Sequence, residues 1–251
     1  DKGGESGRYC SFYEDIRNCN TFLEHIDDVY NMEDFEKLQW KGEILALKAY
    51  LYFELVRRYG PICLMPENVS VDAPQADIYK QRSHVDTCFK AIVNLLDEAD
   101  EYLLMRSAKT MDRQAYFSKE AALALKARVL LYAASPLFNG NEYYSDFKDK
   151  DGNLLFSTKA DPEKWRLAAE AAEAALEVCS AAGRKLYEGA GGESSDLLNT
   201  INTIENSVHS SFNNNPEVLL EWKCSFPYKD FLPRLERVAD HYNSAFTGGI
   251  N

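Results

Sequence analysis

The chain is short of positive charge: 28 Lys and Arg stand against 40 Asp and Glu, for a formal net charge of −12. Nucleic-acid binding needs a basic face, so this balance argues against that partner class. It argues equally against direct docking on anionic lipid. No apolar run approaches the roughly 20 residues that a membrane-spanning helix needs. Residues 1–10 (DKGGESGRYC) lack the apolar core of a signal peptide, and a helical pattern begins almost at once, so we expect the chain to start in mid-protein. Histidine is scarce. His25, His84, His209 and His241 are far apart, and no H-E-x-x-H or EF-hand spacing occurs. Asp149, Asp151 and Asn153 resemble part of a calcium loop, but Gly152 comes too early and the terminal Glu is missing. No metal and no cofactor are expected. The six cysteines form no C-x-x-C pair. Cys19, Cys88 and Cys179 fall on apolar faces of helical patterns, where a thiol acts as a small hydrophobe, and we expect them buried and free.

What the chain does have is a repeat. Leu-Ala-Leu-Lys-Ala occurs at 45–49 and again at 123–127, and Leu51–Phe53 then lies over Val129–Leu131. Each copy opens a long apolar helix and is followed, past a loop, by a second amphipathic pattern anchored on Phe89 or Trp165. Aligned on those aromatics, Ile92, Leu96 and Ala99 fall on Ala168, Ala172 and Ala175, a spacing of three to four residues that makes one helix face. Small residues admit close helix approach and the aromatic fills the gap between layers. This is the logic of tetratricopeptide units, whose period is about 34 residues, here lengthened by an inserted loop. Such arrays mostly bind and seldom catalyse.

The periodicity predicts five helices. The first runs from about Tyr9 to Tyr30 on the seam Phe12, Ile16, Cys19, Leu23, Ile26. The second spans Asp34 to Tyr59, is apolar nearly all round in its C-terminal half, and is stopped by Gly60-Pro61. The third opens on Ser83-His84-Val85-Asp86, a capping-box pattern, and runs to Leu103. The fourth runs from Ser118 to Ser135, where Pro136 ends it. The fifth follows Asp161-Pro162, a cap with Pro at the first helical position, and ends at Ala182-Gly183. Trp40 and Trp165 read as packing residues at helix starts. Arg57 and Arg58 suit the negative end of the second helix. Beyond Gly189, residues 196–212 fit a short helix or a polar insertion, and Val218–Trp222 a short strand or extended segment. The expected fold is all-α dominated with little or no strand: a helical-repeat core over 1–187, then a loop-rich segment over 188–251.

Two segments carry a family likeness. WKGEILALKAYLYFELVRRYGPICLM (Trp40–Met65) and SKEAALALKARVLLYAASPLFNG (Ser118–Gly140) closely resemble two characteristic stretches of the SusD/RagB family. Tyr13–Asn20, Trp165–Leu176 and Asn215–Val218 match more weakly, in the family's order. The likeness covers about residues 9–222. It implies a SusD-like fragment carrying the helical-repeat part, with a C-terminal lobe and an N-terminal lipid-bearing cysteine that lie outside this chain; Cys10 is not that anchor. It further implies a non-catalytic lipoprotein of Bacteroidetes on the extracellular face of the outer membrane. Such a protein captures an oligosaccharide or glycopeptide for a SusC-like, TonB-dependent transporter barrel.

Sugar sites pair flat aromatic faces with planar polar groups on loops and helix ends. Tyr9 falls where family members often carry Trp, four residues before Tyr13, and is the expected platform, with Arg17 and Asn20 as hydrogen-bonding partners; the other reading of Asn20 is that it holds backbone within the repeat. Trp222 and Tyr228, with Phe226 and Phe231, form a second aromatic region. Tyr143 and Tyr144, beside Asn139, Asn141 and Asp146, form a third. Acidic net charge weakly disfavours sulfated or carboxylated polymers, although a local patch overrides net charge. A helical-repeat scaffold that binds protein is the alternative. An α/α-barrel glycosidase needs two carboxylates about 5–9 Å apart across a cleft, and nothing in the sequence places such a pair.

Overall fold

The computed structural model describes residues 5–70, 72–189, 191–192, 195–209 and 215–220. The chain divides into two units, Asp1–Leu220 and Glu221–Asn251; all described residues belong to the first. Its helices are α1 (Glu5–His25), α2 (Asp34–Tyr59), α3 (Gln75–Ile78), α4 (Val85–Tyr102), α5 (Lys119–Ala134), α6 (Glu163–Ala181) and α7 (Asp196–His209). Among the described residues there is no strand, only one antiparallel bridge between Lys148 and Leu154. The described fold is therefore the all-α repeat that the periodicity predicts. Helix α2 packs chiefly on α4 and α5 on α6, while α1 covers α2 and α4 joins the two pairs. These are the two helix–loop–helix units of the repeat.

Helix α2 is central, and its sequence shows why. Leu45, Ala46, Ala49, Tyr52, Phe53, Leu55 and Val56 are buried around its whole circumference. Gly42 lets α4 approach, since a Cβ there would sit 3.0 Å from Tyr102 Cβ. Helix α5 buries one face only, through Ala121, Ala122, Leu125, Val129 and Ala133. The same five residues therefore meet different surroundings. Lys48 is buried and donates to the Pro66 carbonyl at 2.7 Å, and desolvation lowers its pKa below the usual amine range. Its repeat partner Lys126 reaches the surface and pairs with Asp97 at 2.5 Å.

Three elements depart from the sequence reading. Helix α1 stops at His25 and tightens into a 3₁₀ turn over Ile26–Asp28; Asp27 and Asp28 are unfavourable at the negative end of a helix. Helix α4 is capped by His84, whose Nδ1 accepts the Asp86 N–H at 3.1 Å; the Ser83 N–H, engaged with Ile62 O at 2.8 Å, is not free for the Asp86 carboxylate as a capping box requires. The Asp86 carboxylate instead accepts from Lys164 Nζ at 2.6 Å on α6, tying the two repeat units together. Trp165 is not the counterpart of Phe89 in packing: it is 49% exposed where Phe89 is 3% exposed. Among the described residues α6 packs on α5, which leaves the outer face of α6 open. Trp40 does pack, with Phe22 at 6.3 Å. Arg57 and Arg58 both reach the Glu54 carboxylate. Cys19 and Cys88 are buried free thiols, pushed up to about 11 by burial; Cys179 is free and half-buried.

After Gly60, in the left-handed region at φ 70°, the chain runs extended from Cys63 to Pro66 across α1 and α2. Among the described residues no strand pairs with it, and side chains do instead. Tyr13 Oη donates to Cys63 O at 2.8 Å and accepts from Cys63 N at 3.1 Å. Tyr52 Oη does the same to Met65, at 2.8 and 2.9 Å. Asn20 Nδ2 adds a bond to Met65 O at 3.1 Å. An unpaired buried backbone group costs about 1–3 kcal/mol, so Tyr52→Phe is expected to destabilise the protein by about 2 kcal/mol, mainly through the orphaned Met65 N–H. Urea unfolding measures this; an unchanged midpoint would show that the hydroxyl is dispensable.

Candidate functional site

The two inserted loops, 61–84 and 136–162, are built on a shared base. Phe156 stacks on Tyr144 at 4.2 Å and lies near-parallel to Phe138 at 6.3 Å, and Phe138 meets Phe89 edge-on at 5.1 Å. The Val85 N–H donates to Leu155 O at 2.9 Å, joining the end of the first loop to the second. Asn139 holds the far end of the second loop: its Nδ2 donates to Asp161 O at 2.9 Å and its Oδ1 accepts from Asp161 N at 2.8 Å. Asp161 Oδ1 in turn accepts the Glu163 N–H at 3.0 Å and starts α6.

Above this base the loops face each other across an open groove. One wall is Gln75, Asp77, Tyr79, Lys80 and Gln81, the other Lys150, and the space between measures about 780 Å³. A smaller compartment of about 330 Å³ continues between Arg82 and the Phe147–Lys150 turn. Ligand clefts run about 300–1,000 Å³, so the larger space is adequate for several sugar rings. Tyr79 is 70% exposed. Gln81 Nε2 crosses the groove to Asp151 Oδ2 at 2.5 Å and ties its walls.

The calcium-like turn is internally satisfied. Asp149 accepts from Asp151 N at 2.9 Å, Asn153 N at 2.8 Å and Asn153 Nδ2 at 3.0 Å. These bonds, the Asn153 side chain first, hold its carboxyl below the usual range. Such a carboxylate has its lone pairs taken by donors rather than offered to a cation.

The residues singled out from sequence fall as follows. Tyr13 and Asn20 come together on the Cys63–Met65 segment. Asn20 is 3% exposed, and its Oδ1 is buried without a partner among the described residues. Arg17 is exposed one turn along, its carbonyl accepting from Thr21 Oγ1 at 3.0 Å. Tyr9 is on α1 with its side chain outside the described residues, and Trp222, Phe226, Tyr228 and Phe231 also lie outside them. Tyr144 is part of the aromatic base, whereas Tyr143 is 97% exposed. Asn139 and Asn141 serve the backbone, Asn141 by accepting the Tyr143 N–H at 3.1 Å. The groove residues Tyr79, Lys80, Gln81 and Lys150 escaped the sequence reading; the only local sign was the aromatic and polar cluster Asp77–Gln81 inside a presumed connector.

Comparison with known proteins places this geometry. The SusD-like family described as starch-binding and associating with the outer membrane matches residues 4–131. The structure is similar to that of BT4246, with a TM-score of 0.74 and 29% identity over 90% of this chain and 42% of that one. It is similar to a SusD-like protein, BF3747, from Bacteroides fragilis NCTC 9343, with a TM-score of 0.64 and 21% identity over 88% and 34%. It is also similar to a protein solved with xylogluco-oligosaccharide, with a TM-score of 0.53 and 20% identity over 73% and 31%. At these lower identities the last two show the shared fold. This chain spans about two-fifths of BT4246 and less of the others. No curated protein matches it.

Proposed function

Because the chain belongs to the SusD-like family of outer-membrane-associated starch-binding proteins, we propose that it is part of a non-catalytic glycan-binding lipoprotein. In this reading it sits on the extracellular face of the outer membrane and hands an oligosaccharide or glycopeptide to a SusC-like, TonB-dependent transporter. The observation that carries the proposal is the family match over residues 4–131. The relative solved with xylogluco-oligosaccharide supports the ligand class by likeness of fold. The open groove, with one exposed aromatic among planar polar side chains, supports it chemically.

Tyr9, Arg17, Trp222 and Tyr228 are proposed as further ligand contacts. Tyr13 and Asn20 contribute by holding the Cys63–Met65 segment against α1 and α2. Isothermal titration of the purified protein against a panel of plant and host oligosaccharides tests the reading. We expect saturable binding to at least one panel member, no new reducing ends on prolonged incubation, and recovery of an outer-membrane β-barrel on affinity purification. Hydrolysis of a panel member, or no binding to any, overturns it.

A further inference from the structure

We propose that the groove between the two inserted loops is a subsite for anionic oligosaccharides, glycans that carry carboxylate or sulfate groups. The proposal rests on the glycan-binding reading above and adds a ligand class and a location. The starting point is charge. Carboxylates outnumber cations by 40 to 28 over the whole chain, and several buried or half-buried cations find them: Lys109 and Arg113 pair with Glu43, Lys164 with Asp86, Lys119 with Asp100. The groove inverts this balance. Lys80, Arg82, Lys148 and Lys150 line it, against the carboxylates Asp77 and Asp149, with Asp151 beside them on Gln81.

None of those four cations lies within ion-pairing distance of a carboxylate among the described residues. Asp149 is turned inward onto three N–H donors, and the nearby Asp151 is held by Gln81. All three carboxylates stay charged, so four cations stand against three anions; Asp149 and Asp151 have oxygens engaged by N–H donors, and Asp77 stands on the same wall as Lys80. The groove thus presents a local positive field on an acidic protein, and such local fields select ligands independently of net charge.

The remaining chemistry is that of a sugar. Tyr79 offers a ring face at the wall, and Gln75 offers an amide for hydroxyls. Lys80 and Lys150 stand on opposite walls, so a chain lying along the groove meets a cation on each side. The walls are joined by the Gln81–Asp151 bond and by Val85–Leu155 at the base. The groove is therefore a preformed cleft, not one that must be assembled on binding.

The test is isothermal titration of the intact protein with three sets of oligosaccharides matched in length: oligogalacturonates, which carry carboxylates only, sulfated galactan fragments, which carry sulfates only, and neutral xyloglucan and maltose oligomers. At least one anionic set is expected to bind more tightly than the neutral sets, and to weaken as salt rises from 50 to 500 mM, estimates that follow from a screening length near 10 Å at about 0.1 M. Lys80→Gln with Lys150→Gln is expected to weaken that binding about fivefold, from exposed ion pairs of about 0.2–1 kcal/mol each. Tyr79→Ala is expected to weaken it about tenfold through the lost ring face. The set that responds to these variants identifies the acid group. Neutral oligomers binding as well as anionic ones, or anionic binding indifferent to all three substitutions, overturns the subsite while the glycan-binding reading stands. Failure of every set to bind overturns both.

Discussion

Glu43→Ala is expected to destabilise the protein by about 3–5 kcal/mol, the cost of stranding a buried charge, and to lower the melting temperature by about 10 °C or more at this chain length. Glu43 lies on α2, 7% exposed at its side chain, and its two oxygens hold two cations from the loop between α4 and α5. Lys109 Nζ is 2.5 Å from Oε1 and fully buried, and Arg113 Nη2 is 2.6 Å from Oε2. Lys109 also donates to Phe117 O at 2.5 Å, while the Arg113 guanidinium lies 3.9 Å from the Trp40 ring. Desolvation holds the Lys109 pKa below the ordinary amine range, with the Glu43 carboxylate opposing it. Removing that carboxylate lets the pKa fall further.

The sign for pH follows. Between the lowered folded value and the unfolded value of about 10.4, the unfolded chain binds more protons, so stability rises with pH. The deficit of Glu43→Ala is therefore expected to narrow between pH 7 and pH 9.5 in denaturant titrations. A compensating pair, Glu43→Leu with Lys109→Met, is expected to recover most of the loss, since apolar replacement of a buried ion pair is close to neutral. A single-variant loss below about 1 kcal/mol, the range of surface pairs, would sink the account.

The sequence exposed α2 better than it exposed Glu43. The boundaries Asp34 and Tyr59 were legible because their signals are local: acidic residues in the first turn, Arg57-Arg58 in the last, and Gly60-Pro61 beyond. Gly42-Glu43 was visible as part of a family segment, but the partners of Glu43 lie 66 and 70 residues away, and no periodicity reports such a distance. The groove was hidden for the same reason. Tyr79 and Lys150 belong to different repeat units and meet only once Phe138, Tyr144 and Phe156 have packed the loops onto one base. Trp165 shows the converse error. Its register matches that of Phe89, but register predicts which face a residue is on, and burial depends on whether another layer covers that face. Tyr13 and Asn20 were noticed as polar groups near an aromatic. A backbone-holding role was legible for Asn20, but its target and that of Tyr13, the Cys63–Met65 segment, required knowing that an extended segment crosses α1 with no strand beside it among the described residues.

Gly140→Ala is expected to cost about 3 kcal/mol, from a left-handed backbone penalty of roughly 1–2 kcal/mol plus overpacking of about 1–3 kcal/mol. Gly140 sits at φ 80°, and a Cβ there would lie 2.5 Å from Ala160 N and 2.7 Å from Ala160 Cα. Those are backbone atoms, so no side chain can swing aside to relieve the clash. The strain falls on the neck of the second loop, where Asn139 grips both polar groups of Asp161 and Asp161 starts α6. Relief by moving Ala160 pulls Asp161 away from Asn139, so the substitution damages a hydrogen-bonded clasp as well as a turn. Asn139→Ala removes the clasp without the steric clash and is expected to cost about 1–3 kcal/mol. The double variant is expected to fall short of the sum, because neighbouring sites that share a partner are not additive. Chemical denaturation of the three variants measures this coupling. Full additivity would mean that the turn and the clasp act independently, and a Gly140→Ala midpoint equal to that of the parent would mean that the loop neck tolerates a side chain. Gly140 and Asn139 close the Ser118–Gly140 segment that marks the family, and the geometry gives that ending a reason: Ser-Pro ends α5, Asn reaches across to the start of α6, and Gly lets the two loop ends touch.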